Sequence, residues 1–207
     1  MGMKQILVMM AAAALVGCSK DTPESSQAAE AEGQVTPEPL PTPDPAPAEE
    51  KLIADPIVEK AIRKSLKKPE GQLTEADLEK VTLLNLQRTQ ITDASLKDVA
   101  KLKELKWIYL RATQITDKGL KELVKLPKLE ALQLKGTQIT DEGLVEVTKL
   151  RNLTHLDLNL TQITDAGLVE VAKLEKLERL ELQGTKVTKT SVAELKKALP
   201  NCKIEGP

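Results

Sequence analysis

Phenylalanine is absent from these 207 residues, and tryptophan, tyrosine and histidine occur once each. Such a chain cannot build its core on aromatic rings, so burial must come from Leu, Ile, Val and Ala. A single histidine excludes a histidine-paired zinc centre. Two cysteines, Cys18 and Cys202, sit in unlike settings, so no intramolecular disulfide is expected and no Cys–His dyad is evident. There is no glycine-rich phosphate loop, and no basic run interleaved with aromatics as nucleic-acid binding would need. The net charge of −1 conceals an asymmetry. Residues 18–50 carry eight acids against Lys20 alone, whereas residues 51–207 hold 28 basic and 23 acidic side chains, a net of about +5. A modest excess of this kind mostly confers solubility.

What the chain does have is a period. Thr-Gln-Ile-Thr-Asp stands at 89–93, 113–117, 137–141 and 161–165, with a degenerate Thr-Lys-Val-Thr-Lys at 185–189. Each copy begins 24 residues after the last. A fixed short period means stacked copies of one unit. Written in register, Leu84/Leu86 recurs as Ile108/Leu110, Leu132/Leu134, Leu156/Leu158 and Leu180/Leu182. That alternation predicts a short strand with one side buried. Ile91, Ile115, Ile139, Ile163 and Val187 form the next column. Columns at Leu96, Leu120, Leu144, Leu168 and Val192, then Val99, Leu123, Val147, Val171 and Leu195, are offset by three residues, a helical spacing that Leu102, Leu126, Leu150 and Leu174 continue. Each unit is therefore expected to be strand, turn, helix, turn. The Thr-Asp pairs should cap the helices with side-chain oxygens and favourable charge; a calcium ladder is the weaker reading of the same aspartates.

Residues 153–168, Leu-Thr-His-Leu-Asp-Leu-Asn-Leu-Thr-Gln-Ile-Thr-Asp-Ala-Gly-Leu, match a Leu-x-x-Leu-x-Leu-x-x-Thr-x-Ile-Thr-Asp-x-Gly-Leu unit without a gap. In this the chain resembles bacterial leucine-rich repeat proteins, over roughly 81–204. The resemblance implies an α/β solenoid, curved, with a parallel inner sheet and outer helices. Most members place Asn where this chain has Thr89, Thr113, Thr137, Thr161 and Thr185; a hydroxyl there is expected to bond the neighbouring coil's backbone. Residues 51–80 resemble the helical cap that precedes such repeats: Asp55-Pro56 should start an amphipathic helix that stops before Pro69, and Thr74-x-x-Asp77 a second short turn. Residues 81–207 then hold five repeats and a closing strand, with Cys202 and Ile204 expected in the place of the strand leucines.

The front of the chain reads as delivery. Lys4, an apolar run from Ile6 to Val16 and Leu15-Val16-Gly17-Cys18 have the layout of a secretory signal, too short to span a bilayer. The residues before Cys18 resemble the bacterial lipobox. That resemblance implies a signal peptide over 1–17, acylation of Cys18, anchoring in the cell envelope and, in a Gram-negative cell, the outer membrane. Residues 18–50, with Pro37, Pro39, Pro41, Pro43, Pro45 and Pro47, are expected to form a disordered tether.

The side chains between the strand leucines should face the concave side. Trp107, Tyr109 and His155 all fall there, at positions the aliphatic ladders do not need. Exposed Trp and Tyr beside Arg anchor binding because they bury large areas at little entropy cost. The candidate partner site is Trp107, Tyr109, Arg111, Gln133, Lys135, His155, Asp157 and Arg179, and mixed charge points to a protein or peptide. The competing reading is that Trp107 and Tyr109 cover the concave end near the cap, with Arg111 stacked on them. His155 with Asp157 lacks a nucleophile, so no enzyme, cofactor or metal is expected. A monomer is expected, and an envelope spacer or a binder of anionic cell-wall polymer remain as alternatives.

Overall fold

A computed structural model describes residues 51–207; the expected signal peptide 1–17, the lipidation site Cys18 and the tether up to residue 50 lie outside the described residues. The described part opens with helix α1, Pro56–Leu66. Asp55 caps it by accepting the Ile57 and Val58 N–H groups, Pro56 supplies a ready-made first-turn φ, and Lys67 ends it in the left-handed region at φ 53°. Helix α2, Glu75–Leu78, starts at a reciprocal capping box between Thr74 and Asp77. Both turns were legible, since their cap residues carry their own chemistry.

Six short parallel strands follow in chain order: β1 Leu83–Asn85, β2 Trp107–Tyr109, β3 Ala131–Gln133, β4 His155–Asp157, β5 Arg179–Glu181 and β6 Lys203–Glu205. Their register is the 24-residue period itself: Ile108 pairs with Leu132, Leu132 with Leu156, Leu156 with Leu180. Between strands the chain runs back as helices α3 Leu96–Val99, α4 Asp117–Leu123, α5 Asp141–Val147, α6 Asp165–Val171 and α7 Lys189–Ala198. In the first repeat a 3-10 turn, Asp93–Ser95, precedes α3. The predicted aliphatic columns all lie between sheet and helices, with Leu84, Leu86, Ile91, Leu134 and Ile163 fully buried. Each such side chain is worth about 1.5–3 kcal/mol on transfer from water. The helices are shorter than the leucine spacing suggested: Leu126 lies past α4, in a tight turn where its N–H reaches Leu123 at 3.0 Å.

Every residue of the repeated pentapeptide has a structural task, illustrated by Thr137–Asp141. The Thr137 hydroxyl donates to the Leu134 carbonyl at 2.6 Å. The Gln138 N–H reaches Ile115 of the preceding coil at 3.1 Å. Ile139 is core. Thr140 caps α5 by accepting the Glu142 N–H, while its own N–H and hydroxyl donate to Asp117 of the preceding coil at 2.9 and 2.7 Å. Asp141 does the same for Thr164. Two expectations are corrected here. The Thr89, Thr113, Thr137, Thr161 and Thr185 hydroxyls bond their own coil three residues back rather than the neighbouring one. The aspartates, expected as helix caps, spend their oxygens on the next coil, leaving the capping to threonine.

This seam explains the recurrent glycine. A Cβ at Gly119, Gly143 or Gly167 would collide with the Asp carboxylate and a Leu methyl of the preceding coil. The coil also has one left-handed corner, at Arg88, Ala112, Gly136, Leu160 and Gly184, with φ between 52° and 71°. Only two of the five are glycine, so the remaining three each carry roughly 1–2 kcal/mol of backbone strain.

At the front, Asp98 of α3 ties the entering chain to the first repeat. Its Oδ2 accepts the Ala54 and Asp55 N–H groups at 2.8 and 2.7 Å, and Lys101 bridges its Oδ1 to the Leu52 carbonyl. At the back, Ile204 stands opposite Leu180, in the place of the first strand leucine rather than the second. Cys202 does not take a strand position: its N–H bonds Leu199 as Leu177 bonds Leu174, so it continues the column just before the strand. The 24-residue register itself sets this, because it puts Cys202 level with Glu178, before the strand. Cys202 is buried, and burial pushes its thiol pKa up to about 11.

Candidate functional site

The sheet has one face turned to the helices and one turned to solvent, and strand pairing arranges the second face in rows. The first row is Leu83, Trp107, Ala131, His155, Arg179 and Lys203; the second is Asn85, Tyr109, Gln133, Asp157, Glu181 and Glu205. Arg111 and Lys135 extend beyond β2 and β3 two residues further on. All eight predicted residues, Trp107, Tyr109, Arg111, Gln133, Lys135, His155, Asp157 and Arg179, are half-buried on this face.

Trp107 does not lean toward the cap. Its ring approaches His155, two strands away, with centroids 5.5 Å apart and planes tilted by 40°. The geometry requires a small residue between them. Ala131 fills that place, and at 2% exposure it forms the floor beneath the rings. Beside it lies a notch of about 80 Å³, lined by Trp107, Ala131, His155, Asp157, Arg179 and Glu181. Thr154 donates its hydroxyl to the Glu130 carbonyl at 3.0 Å, so the 2.8 Å contact between Thr154 Oγ1 and His155 Nδ1 needs the imidazole as donor. For a neutral ring, that places the free lone pair on Nε2.

The charges divide the face. Arg179 Nε donates to Glu181 at 2.9 Å, its Nη2 lies 3.2 Å from Glu205, and Lys203 lies 2.9 Å from Glu205. Glu181 also accepts Asn159 Nδ2 at 2.8 Å. Among the described residues Asp157 accepts only the Asn159 N–H, at 2.9 Å. Burial pushes its carboxyl above the ordinary carboxylate range, Glu181 adds to that, and the Asn159 bond, Lys135 and Arg111 oppose it. Arg111 and Lys135 themselves make no side-chain hydrogen bond or ion pair among the described residues.

The structure thus brings Trp107, Gln133, His155, Asp157 and Arg179 around one notch, with Tyr109, Arg111 and Lys135 alongside. Three residues of this face were misread or passed over. Ala131 lies on the sheet face but is covered to 2% exposure; Asn159, at 3% exposure, joins two coils, its Oδ1 accepting the Gln183 N–H at 2.6 Å. Glu205, which holds Arg179, had no place in the predicted set. The signal for Ala131 was present, as the one small residue between two rings in a 24-residue column. Pairing of Arg179 had none, because it depends on rotamers.

Nothing else among the described residues competes as a chemical centre: no group of three or more His, Cys, Asp or Glu could hold a metal ion. Two wider clefts, of about 580 and 640 Å³, flank α1 and are edged by Lys60 and Lys64. Among the described residues no helix is long and apolar enough to cross a membrane.

The Leucine Rich repeat family model matches residues 125–147 and 149–172. No curated protein matches the chain. Among solved structures, a leucine-rich repeat protein of Leptospira interrogans is similar at 29% identity, over 62% of this chain and 38% of its own, with a TM-score of 0.46. Internalin C2 of Listeria monocytogenes is similar at 22% identity over 74% of this chain and 83% of its own, TM-score 0.41. Internalin F of the same organism is similar at 20% identity over 73% and 55%, TM-score 0.48. This chain therefore spans well under two thirds of the Leptospira protein. With six parallel strands alternating with helices at the repeat period and the family match inside that array, the fold is a leucine-rich repeat solenoid.

Proposed function

We propose that this chain is a cell-envelope lipoprotein whose repeat domain binds a protein or peptide partner through the sheet face, the concave one, around Trp107. Leucine-rich repeat domains are commonly protein-interaction scaffolds, and fold alone does not name a ligand. The observation that carries the reading is the half-buried Trp107 laid over Ala131 against His155, beside Arg111 and Lys135, which have no ion-pair partner among the described residues. A large ring already held by its neighbours loses little freedom when a partner covers it. A photoreactive group at position 107, activated in cells, should capture one protein species. Capture of nothing above background would discard the site.

Anchoring rests on the lipobox-like Leu15-Val16-Gly17-Cys18. Cys18→Ser should release the protein from the membrane fraction, and a variant that still pellets with membranes would remove the lipoprotein reading. One observation favours a second function. Lys60, Lys64 and Lys67 line a cleft on α1 and make no side-chain hydrogen bond or ion pair among the described residues, which suits an anionic cell-wall polymer. Loss of polymer binding in Lys60→Ala/Lys64→Ala, with capture at position 107 retained, would place that activity on the cap.

A further inference from the structure

Half of the sheet face has its charges answered from within and half does not. On β5 and β6, Glu181 and Glu205 are taken up by Asn159, Arg179 and Lys203. At β2 and β3 the cations Arg111 and Lys135, just past the strand ends, and the amide of Gln133 have no side-chain hydrogen bond among the described residues, and Asp157 is the carboxylate that feels both cations. The notch over Ala131 lies at one end of this unanswered half and the two cations at the other.

We propose that the sheet face takes an extended acidic peptide, with an aliphatic side chain in the notch over Ala131 and a carboxylate four residues later between Arg111 and Lys135. This rests on the reading that the sheet face is the binding surface. Spacing supports it. Ala131 and Lys135 are four residues apart on one chain, about 13 Å at roughly 3.3 Å per residue, and an extended peptide presents its own positions i and i+4 on one side at the same separation. Size supports it as well. A space of about 80 Å³ equals the liquid volume of two to three waters at roughly 30 Å³ each. That accommodates a few aliphatic carbons. Charge selects the rest. A basic peptide would face Arg111 and Lys135 directly, and of the acids that might attract it Glu181 and Glu205 are already paired, leaving Asp157 beside the two cations. The intermediate position, above Gln133 and beside Asp157, disfavours a second carboxylate and suits a neutral hydrogen-bonding side chain.

The test is to pan a random linear-peptide display library against the full chain, then measure one synthesised enriched peptide on three variants. Enriched sequences should carry Leu, Ile or Val four residues before Glu or Asp. Arg111→Ala/Lys135→Ala should weaken binding by about tenfold or more, whereas Lys60→Ala/Lys64→Ala on the cap should leave it within about twofold. Basic or unpatterned enriched sequences, no enrichment, or loss of binding only in the cap variant overturns the proposal. A peptide weakened by Trp107→Ala/Tyr109→Ala but not by Arg111→Ala/Lys135→Ala overturns the acid requirement and leaves the sheet-face reading standing. A peptide indifferent to both pairs overturns the two together.

Discussion

The seam along the helix side and the open face of the sheet are built from the same 24-residue period and use it in opposite ways. On the seam, the two Thr, the Ile and the Asp return nearly unchanged because each side chain closes a contact with its own or the adjoining coil. On the sheet face the rows change from strand to strand over β2–β5: Trp107 is followed by Ala131, His155 and Arg179, and Tyr109 by Gln133, Asp157 and Glu181. Positions that stacking requires are uniform, and positions that stacking leaves free have diverged. In a repeat protein the most repeated motif is therefore the least informative about the partner.

The contrast can be broken most severely in the shared core. Leu134→Asp places an unpaired charge in a fully buried ladder and should cost about 4 kcal/mol or more, read as loss of cooperative thermal unfolding. A parent-like melt would mean the inward and outward faces are exchanged. On the seam, Gly143→Ala drives a methyl into Asp117 and Leu120 and should cost about 1–3 kcal/mol. Gly136→Ala, with open space around it but φ at 67°, should cost only about 1 kcal/mol, all of it backbone strain. Equal losses at the two glycines would remove the seam argument.

Two aspartates sharpen the comparison through pH. Asp77, in the cap, has its carboxyl held well below the ordinary range, first by Lys68 and then by the Thr74 bonds. Its contribution is present above its unfolded pKa and fades as pH falls, so Asp77→Asn should lower Tm at neutral pH and lose its effect in acid. Asp157, on the face, is shifted upward by burial. Its native state holds the proton more tightly than the unfolded chain, so stability declines as pH rises from its unfolded value toward the raised one. Asp157→Asn should therefore raise Tm slightly at neutral pH and match the parent in acid. Melting curves taken from pH 7 down into strong acid, past the lowered Asp77 range, test both signs, and a parallel response would contradict the division between supporting and spare carboxylates.

Legibility in the sequence followed the same line. The ladders, the caps at Asp55 and Thr74 and the strand register could be read because period and cap chemistry act locally. The direction of the Thr89-type hydroxyls, the outreach of Asp117 to Thr140 and the burial of Asn159 could not, since each depends on where the adjoining coil puts its backbone. The site was half legible for the same reason: residue type placed Trp107 and His155 on one face, whereas their meeting over Ala131 required the spacing of neighbouring strands. The place of Cys202 followed from the period alone, which puts it level with Glu178 and ahead of the strand.

The most direct measurement is the affinity of the partner captured at position 107 for the Trp107→Ala/Tyr109→Ala variant, by calorimetric titration beside a thermal melt. Binding should weaken by about 2 kcal/mol or more, near 30-fold, while unfolding stays cooperative. Affinity equal to the parent's would contradict a binding role for this face.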